Sequence, residues 1–551
     1  EQRMERGQPV ANGIWAIETD LPYAGDGHLI VDVQTRDPGV TARLAAAGIE
    51  VVSASADGSS LRVHIDIDQV EMIAADPDVV FIQAQQSAIS SGLSGQAASN
   101  LIIGPTGVGS RSSEGDVTHL AFAARGAFHI DGTGIKIGVL SNGVRNLATS
   151  QAARDLGPVT VIGPAAPCLA TAPCDEGTAM LEIIHDIAPG AELFFASAFV
   201  SITSFADNIR ALRAAGCDII VDDVSYFVET PFQDGQPGPT NTNGGVVIQA
   251  VKDVTASGAL YFSAAGNAGN LDAGTAGTWE GDFVDGGSTA SPLPTGALIA
   301  SPTRIHDFGG RNFNLLTVPD PGGAPISLYW SDPLGASSND YDLFRLNAAG
   351  TLVLGSSTNI QNGTQDPYEQ VTQNAASPRL VIVKKGTAAP RFLHLNANHG
   401  QLSIRTAGST HGHAAVTGVA AYGVAATPAV GPFPQAFNSG NHVESTSSDG
   451  PRQIFYHGDG TAITPGNVSS TGGQVLQKPD FTAADGVSVS GVGGFTTPFF
   501  GTSAAAAHAA AIAALVKSAN TALTPAEIRT LLTSTAIDIE APGVDRNSGA
   551  G

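Results

Sequence analysis

The amino-acid sequence predicts an α/β fold whose main body is a parallel sheet. Short, almost continuously apolar runs at residues 135–140, 191–195, 218–221 and 260–263 alternate with helical patterns. Strands that are apolar on both faces belong to sheets covered by helices on both sides, which predicts a doubly wound arrangement. The same alternation resumes at residue 408 and continues to residue 551.

A smaller domain is predicted before this body. Residues 28–86 show the order β-α-β-β-α-β, with strands at 28–33, 50–53, 61–65 and 79–83 and helices at 40–47 and 70–75. This order predicts a ferredoxin-like α+β domain, which we assign to residues 1–95. The Ser/Gly-rich stretch from 87 to 113 has the composition of an exposed linker, and we place the linker itself at 96–115.

The parallel-sheet pattern is interrupted between residues 277 and 407. There, β-type segments such as 326–330, 380–383 and 401–404 are separated by Gly, Pro, Asn and Asp. This pattern predicts an inserted β-sandwich. The main α/β domain therefore comprises residues 116–276 and 408–551.

The acidic composition of the chain argues against some classes of binding partner. The chain has 26 Lys and Arg against 50 Asp and Glu, a formal net charge of −24, which argues against nucleic acid and anionic membranes as partners. Because it has no run of about 18 apolar residues, we expect a soluble chain whose export signal is already gone. The 66 glycines and the 14% content of charged residues are typical of a secreted or periplasmic protein.

Three cysteines occur in the chain. Cys168 and Cys174 are close enough in sequence to bridge a short loop. Cys217 lies in an apolar strand pattern, which predicts a buried thiol. The cysteine spacing does not suggest a zinc site.

The segment around Ser503 carries the clearest chemical signal. Phe500-Gly501-Thr502-Ser503 precedes a run of small, mostly apolar residues that extends to Val516. This pattern predicts a tight turn that delivers a serine to the first turn of a buried helix, where backbone N–H groups suit a developing oxyanion. Acyl transfer by a serine nucleophile is one interpretation. A serine that only caps a core helix is the other.

Four motifs together resemble the subtilisin-like and sedolisin-like serine peptidases, over residues 116–276 and 408–551. They are Gly501-Thr502-Ser503, Ser263-Ala264-Ala265-Gly266-Asn267, Lys478-Pro479-Asp480 and Thr524-Pro525-Ala526-Glu527. The resemblance implies a subtilisin-like fold, with Ser503 as nucleophile and Asn267 as oxyanion donor. His508 stands at the position of a structural histidine, although Ala507 replaces the usual preceding proline.

The departures from this resemblance concern the general base. Glu176 stands where subtilases carry the catalytic histidine, and Ser141 stands where they carry the triad aspartate. A glutamate base becomes neutral on protonation, so no counter-carboxylate is needed for a cation, and Ser141 could orient Glu176 by a hydrogen bond. The sedolisin helix places a second acid where this chain has Met180, which belongs to an apolar stripe and is expected in the core.

A second acid would raise the pKa of Glu176 from the ordinary value of about 4.3. Asp223 best matches a cleft-lining position, and Asp222 is the next candidate, since strand alternation lets only one face the cleft. An aspartate pair that caps backbone N–H groups is the competing interpretation. Asp175 is more consistent with a helix N-cap, and Asp186 with a solvated helix end.

These observations predict a secreted serine endopeptidase with a carboxylate base and an acid-leaning pH optimum. The alternative is an inactive peptidase-like scaffold that binds proteins or peptides. Residues 28–86 resemble the subtilase propeptide, which implies a zymogen whose own N-terminal domain occupies the cleft and is processed within residues 83–113. The competing interpretation is a permanent accessory domain.

No cofactor is expected for the chemistry, but structural calcium is conceivable. The insert resembles jelly-roll modules of bacterial secreted peptidases, in which Asp340, Asp342 and Asp366 could bind calcium. Turn-capping aspartates are the competing interpretation. Asp538 and Asp545 are further candidates by analogy with sedolisins.

Overall fold

The computed structural model describes residues 22–24, 27–93, 109–163, 174–236, 242–290, 292–293, 302–376 and 378–551. Cys168 and most of the predicted linker lie outside the described residues. Cys174 is disulfide-bonded, whereas Cys217 is a buried free thiol.

The N-terminal unit is an antiparallel sheet with two helices. Its elements are β1 (Leu29–Thr35), α1 (Gly39–Ala46), β2 (Glu50–Ala54), β3 (Ser60–Ile65), α2 (Val70–Ala74) and β4 (Val79–Ala84). The strand order is β2-β3-β1-β4, and every pair is antiparallel. Alternate apolar residues from the strands, including Val31, Val33, Leu61 and Val63, pack against Val40 and Leu44 of α1 to form its core. The order of elements is the one the sequence predicts.

Polar contacts attach this unit to the main domain, among them two made by Arg62 and Ala56. The guanidinium of Arg62, paired with Asp32, donates to the carbonyl of Val200 at 2.7 Å. The backbone N–H of Ala56 donates to Asp207 at 2.8 Å. The sheet of the N-terminal unit therefore packs against the main domain through polar contacts.

After the N-terminal unit, one short strand precedes the alternating helices and strands of the main domain. In chain order these are β5 (Ala88–Ser90), α3 (Gly115–Thr118), α4 (Ala121–Phe128), β6 (Lys136–Ser141), α5 (Leu147–Ala153), β7 (Val159–Ile162), α6 (Glu176–Ile187), β8 (Glu192–Ser197), α7 (Ile202–Ala214), β9 (Ile219–Asp222), β10 (Val224–Tyr226), β11 (Gln233–Asp234), α8 (Val246–Ala256) and β12 (Leu260–Ala264).

An all-β region follows. Its strands are β13 (Thr278–Asp282), β14 (Asp285–Ser288), β15 (Thr303–His306), β16 (Asn314–Val318), β17 (Ile326–Trp330), β18 (Tyr341–Leu346), β19 (Val353–Ser357), β20 (Tyr368–Val371), β21 (Arg379–Lys385), β22 (Phe392–Asn396) and β23 (Gln401–Leu402). They form a sheet of order β13-β22-β17-β20 and a second sheet around β21. Trp330 and Leu393 of the first sheet share a core with Leu343 and Ile382 of the second.

The remaining elements return to the main domain. They are α9 (Gly412–Val416), β24 (Tyr422–Pro428), β25 (Arg452–Ile454), β26 (Tyr456–His457), β27 (Gln474–Leu476), β28 (Phe481–Asp485), α10 (Thr502–Ala519) and α11 (Pro525–Thr535). None of the helices in the described part of the chain has the length and apolar content needed to cross a bilayer.

The central sheet has seven parallel strands in the order β28-β24-β12-β9-β6-β8-β7. Helices α6 and α10 cover one face, and α7 and α8 cover the other, each with its own apolar core. This is the doubly wound arrangement that the sequence predicts. In such folds the functional crevice lies at the carboxyl ends of the strands, which here means beside Ser141, Asp222 and Ala264.

Two expectations about exposure are wrong. The Ser/Gly-rich stretch is not exposed throughout, because β5 pairs antiparallel with β10 and Ser91 is only 3% exposed. Asp186 is not a solvated helix end, since it is 6% exposed and accepts a hydrogen bond from the backbone N–H of Ser113 at 2.7 Å. Burial raises the pKa of its carboxyl well above the ordinary value.

Candidate active site

Ser503 lies in the first turn of α10, directly after a turn formed by Gly501. Gly501 has a φ of 111°, in the left-handed region that favours glycine. A Cβ at this position would lie 2.4 Å from the carbonyl oxygen of Ser91, so a larger residue would also block the cleft. The N–H of Gly501 donates to Asp485 at 2.8 Å, which fixes the turn. The serine is thereby held at the positive end of a buried 18-residue helix.

Glu176 is the first residue of α6, and its side chain reaches Ser503. The hydroxyl of Ser503 donates to Oε1 of Glu176 at 3.0 Å, and both residues are nearly fully buried. This distance is within reach for direct proton transfer. The side-chain amide of Asn142 donates to Oε2 at 3.4 Å and accepts from the Glu176 backbone N–H at 3.2 Å. Asn142, rather than the expected Ser141, is therefore the hydrogen-bonding neighbour of Glu176.

Asp223 follows β9 and faces the same cluster. It is 1% exposed, and burial together with the negative charge of Glu176 raises the pKa of its carboxyl well above the ordinary value. The hydroxyls of Ser141 and Ser503 lower this pKa, but by less. Neither carboxyl oxygen of Asp223 has a well-formed hydrogen bond among the described residues. The raised pKa favours a proton on Asp223, beside the carboxyl of Glu176.

Asp222 points to the other side of the strand, as alternation requires. Its Oδ2 lies 2.8 Å from Nε2 of His413, and Nδ1 of the same histidine lies 3.0 Å from Glu229. All three side chains are buried. The two carboxylates, acting against the burial of the ring, raise the pKa of His413 to about 10, so this histidine is a cation between two anions. His413 was not predicted as a partner of Asp222, because no local sequence pattern connects the two residues.

Asn267 lies beyond β12 with its amide oriented by Thr502. Its Oδ1 accepts from the backbone N–H and the hydroxyl of Thr502, each at 3.1 Å. This leaves Nδ2 to donate to the carbonyl oxygen of Ser91. The backbone N–H of Ser503 donates to the same oxygen at 3.3 Å. Two donors therefore converge on one peptide carbonyl beside the Ser503 hydroxyl.

The segment around Ser91 lies in the cleft as an extended strand. Upstream, β5 pairs antiparallel with β10, with Ile89 opposite Ser225. The Ser91 N–H donates to the Asp223 carbonyl at 2.8 Å, and the Leu93 N–H donates to the Phe500 carbonyl at 3.0 Å. Backbone hydrogen bonds thus hold the chain on both sides of the Ser91–Gly92 peptide bond, in the manner of strand addition to a sheet edge.

The other residues singled out by sequence have structural contacts. His508 is buried, with Nδ1 donating to the Ala504 carbonyl and Nε2 lying 2.7 Å from the Ser113 hydroxyl, and burial lowers its pKa to about 4. Asp175 is at the N-cap of α6, where it accepts from the backbone N–H of Asn146 at 2.6 Å. Met180 is fully buried in the core, as expected.

The aspartates considered as calcium ligands are dispersed. Asp342 pairs with Lys385 at 3.0 Å, Asp366 accepts from Gly335 at 2.9 Å, and burial raises the pKa of Asp340. Asp538 and Asp545 accept from nearby backbone N–H groups. Within the part of the chain that the structure describes, no group of three or more His, Cys, Asp or Glu side chains is arranged to hold a metal ion.

Comparison with known proteins assigns the family. A family model described as the subtilase family, peptidase S8, matches residues 165–551. The chain belongs to the subtilase family of serine peptidases. The range of this subtilase that the family model matches contains Glu176, Asp223, Asn267 and Ser503.

Solved structures show a likeness to the subtilase at low sequence identity. MycP1 from Mycobacterium smegmatis is 15% identical, with 85% of this chain and 88% of that chain covered and a TM-score of 0.36. The CspB protease of Clostridium perfringens is 12% identical, with coverages of 79% and 95% and a TM-score of 0.44. No curated protein matches this chain by sequence.

Proposed function

We propose that this subtilase is a secreted serine endopeptidase in which Glu176 is the general base. The observation that carries the proposal is the pairing of Ser503 with Glu176 at 3.0 Å, next to two donors that already bind a peptide carbonyl. The substrates are proteins or peptides bound as an extended strand along β10, as the chain's own residues 88–90 are.

The reaction begins with attack of the Ser503 hydroxyl on the substrate carbonyl carbon, while Glu176 accepts its proton. Asn267 Nδ2 and the Ser503 N–H stabilise the oxyanion. Glu176 then returns the proton to the leaving amine, which breaks the peptide bond and leaves an acyl-enzyme. A water molecule attacks the ester with the same base, and release of the acid restores Ser503.

Asp223 sets the pH range of this chemistry. The pair of acids must hold one proton, because a doubly protonated pair has no base, and a doubly ionised pair leaves the negative charge of Asp223 beside the oxyanion after Glu176 has taken the serine proton. The raised pKa of Asp223 supports this state at acid to neutral pH. A bell-shaped profile with its optimum on the acid side of neutrality is therefore expected.

The chain is proposed to be a zymogen that cleaves its own Ser91–Gly92 bond. The Ser91 carbonyl is the group that the two oxyanion donors bind, and the bond follows the strand that occupies the cleft. Residues before Gly92 would then be the propeptide. The disulfide at Cys174 supports an oxidising, extracellular or periplasmic location.

Incubation of the purified chain tests both proposals. The wild-type protein should yield fragments that end at Ser91 and begin at Gly92, identified by mass spectrometry, whereas Ser503→Ala should stay full length with an unchanged unfolding temperature. A fluorophosphonate should label Ser503 in the processed protein. A chain that is neither cleaved nor labelled between pH about 3 and 8 would instead be a peptide-binding scaffold.

A further inference from the structure

Gly92, the residue after the proposed scissile bond, lies against the carboxylate of Glu176. A Cβ at this position would lie 2.0 Å from Oε1 of Glu176 and 2.7 Å from its Cδ. Both distances are below 3.0 Å, a separation that a Cβ essentially never has from a non-bonded heavy atom. The φ of Gly92 is outside the left-handed region, so the backbone conformation does not demand glycine here. The requirement for glycine is steric.

The backbone at Gly92 is not free to move away from Glu176. The residue before it donates to the Asp223 carbonyl at 2.8 Å, and the residue after it donates to the Phe500 carbonyl at 3.0 Å. The Ser91 carbonyl is bound by Asn267 as well. Displacing the backbone would break hydrogen bonds on both sides of the scissile bond and withdraw the carbonyl from the oxyanion donors.

The carboxylate is not free to move either without loss of function. Its Oε1 accepts the Ser503 hydroxyl at 3.0 Å, its Oε2 lies 3.4 Å from the Asn142 amide, and the residue is 3% exposed. A substrate side chain that displaced Oε1 would separate the base from the hydroxyl it must deprotonate. A substrate with such a side chain could bind, but its complex with the enzyme would react slowly.

From this geometry we propose that Glu176 also determines specificity, so that the enzyme cleaves peptide bonds followed by glycine. The inference rests on the proposed function, because it concerns the same base and the same bond. The substrate class is therefore an extended peptide with glycine directly after the scissile bond. An added methyl group in a close-fitting site changes rates by about 10–200-fold, and we expect at least about tenfold here.

The test compares self-cleavage rates of the full chain and its variants. Gly92→Ala should slow cleavage of the bond after Ser91 at least about tenfold, whereas Ser87→Ala, a change of similar size at an exposed position before β5, should cleave at the wild-type rate. Relocation of cleavage in Gly92→Ala to the Ser94–Gly95 bond would also support the proposal. Equal rates at the original bond for Gly92→Ala and the wild type would overturn the glycine requirement and leave the proposed function intact.

A second comparison tests whether Gly92→Ala acts through direct contact with Glu176 or through a general disturbance of the site. Glu176→Asp withdraws the carboxylate by one methylene, so its activity should fall but its preference for glycine over alanine should shrink. The measurement is the ratio of cleavage rates of Glu176→Asp alone and of the double variant that also carries Gly92→Ala. If Gly92→Ala slows cleavage by the same factor in Glu176→Asp as in the wild-type protein, direct contact between Glu176 and residue 92 is refuted as the cause of the preference. Failure of the wild-type chain to cleave at all would overturn the proposed function and this inference with it.

Discussion

Replacing Glu176 with glutamine tests the assignment of the general base. The amide has the same shape and keeps a hydrogen-bond acceptor about where Oε1 lies, 3.0 Å from the Ser503 hydroxyl, but it cannot take the proton. General-base catalysis contributes about 10²–10⁴ in rate, so kcat should fall by that factor, which corresponds to about 3–5 kcal/mol in the barrier. KM should change little, since backbone pairing along β10 binds the substrate.

The assay follows self-cleavage after Ser91 and turnover of a peptide spanning residues 88–93. Glu182→Gln is the matched control, because Glu182 lies on the same helix and is also 3% exposed but bonds to Ser150 and Ser490 instead of Ser503. We expect Glu182→Gln to cost about 1–3 kcal/mol of stability and to keep kcat. Wild-type kcat in Glu176→Gln, or equal losses in both variants, would refute the assignment.

Three further substitutions probe the neighbouring groups. Asp223→Asn removes the acid whose pKa is raised by burial and by Glu176, so the alkaline limb of the pH–kcat profile should disappear, and an unchanged limb would contradict proton sharing. Asn267→Ala should lower kcat by about 10²–10³ with little effect on KM, measured on the same peptide, whereas a change in KM alone would argue against an oxyanion donor. His413→Gln leaves Asp222 and its partner carboxylate buried without a cation and should cost about 3–5 kcal/mol in thermal or urea unfolding. Because the pKa of His413 is raised from 6.5 to about 10, its contribution to wild-type stability should be complete below pH 6.5 and lost as pH rises through about 10, and a flat alkaline stability profile would contradict this.

The parts of the fold that were predicted well have strong local patterns. The predicted strand at 326–330 coincides with β17 (Ile326–Trp330), because a buried strand requires an apolar run bounded by turn residues. The helix that starts beside Ser503 was predicted because small residues let it pack deep in the core, where residues 504–507 are fully buried. Local sequence is sufficient to predict a helix or strand when burial of that element requires a run of apolar or small residues.

The parts that could not be predicted depend on distant contacts or on the backbone alone. His413 meets Asp222 across 191 positions of sequence, with the whole all-β region between them. The strand β5 lies in a stretch with the Ser- and Gly-rich composition of a linker, and its hydrogen bonds to β10 come from the main chain, which leaves no signature in the side chains. Asn142, next to Ser141, was overlooked because the resemblance drew attention only to the triad position.

In the proposed mechanism, the distribution of charge would let Glu176 act as the base at the position where the resemblance to subtilases implies a histidine. The proposed reaction starts with Glu176 as the base and with the proton on Asp223, which the raised pKa of Asp223 favours. Once Ser503 has given its proton to Glu176, both acids in this proposal are neutral and the negative charge resides on the oxyanion, next to the Asn267 amide and the N-terminus of α10. The step therefore moves one charge within the site and creates no new ion pair. A second negative charge on Asp223 would oppose this movement, so the geometry that makes a carboxylate base workable also confines it to the pH range in which the pair keeps one proton.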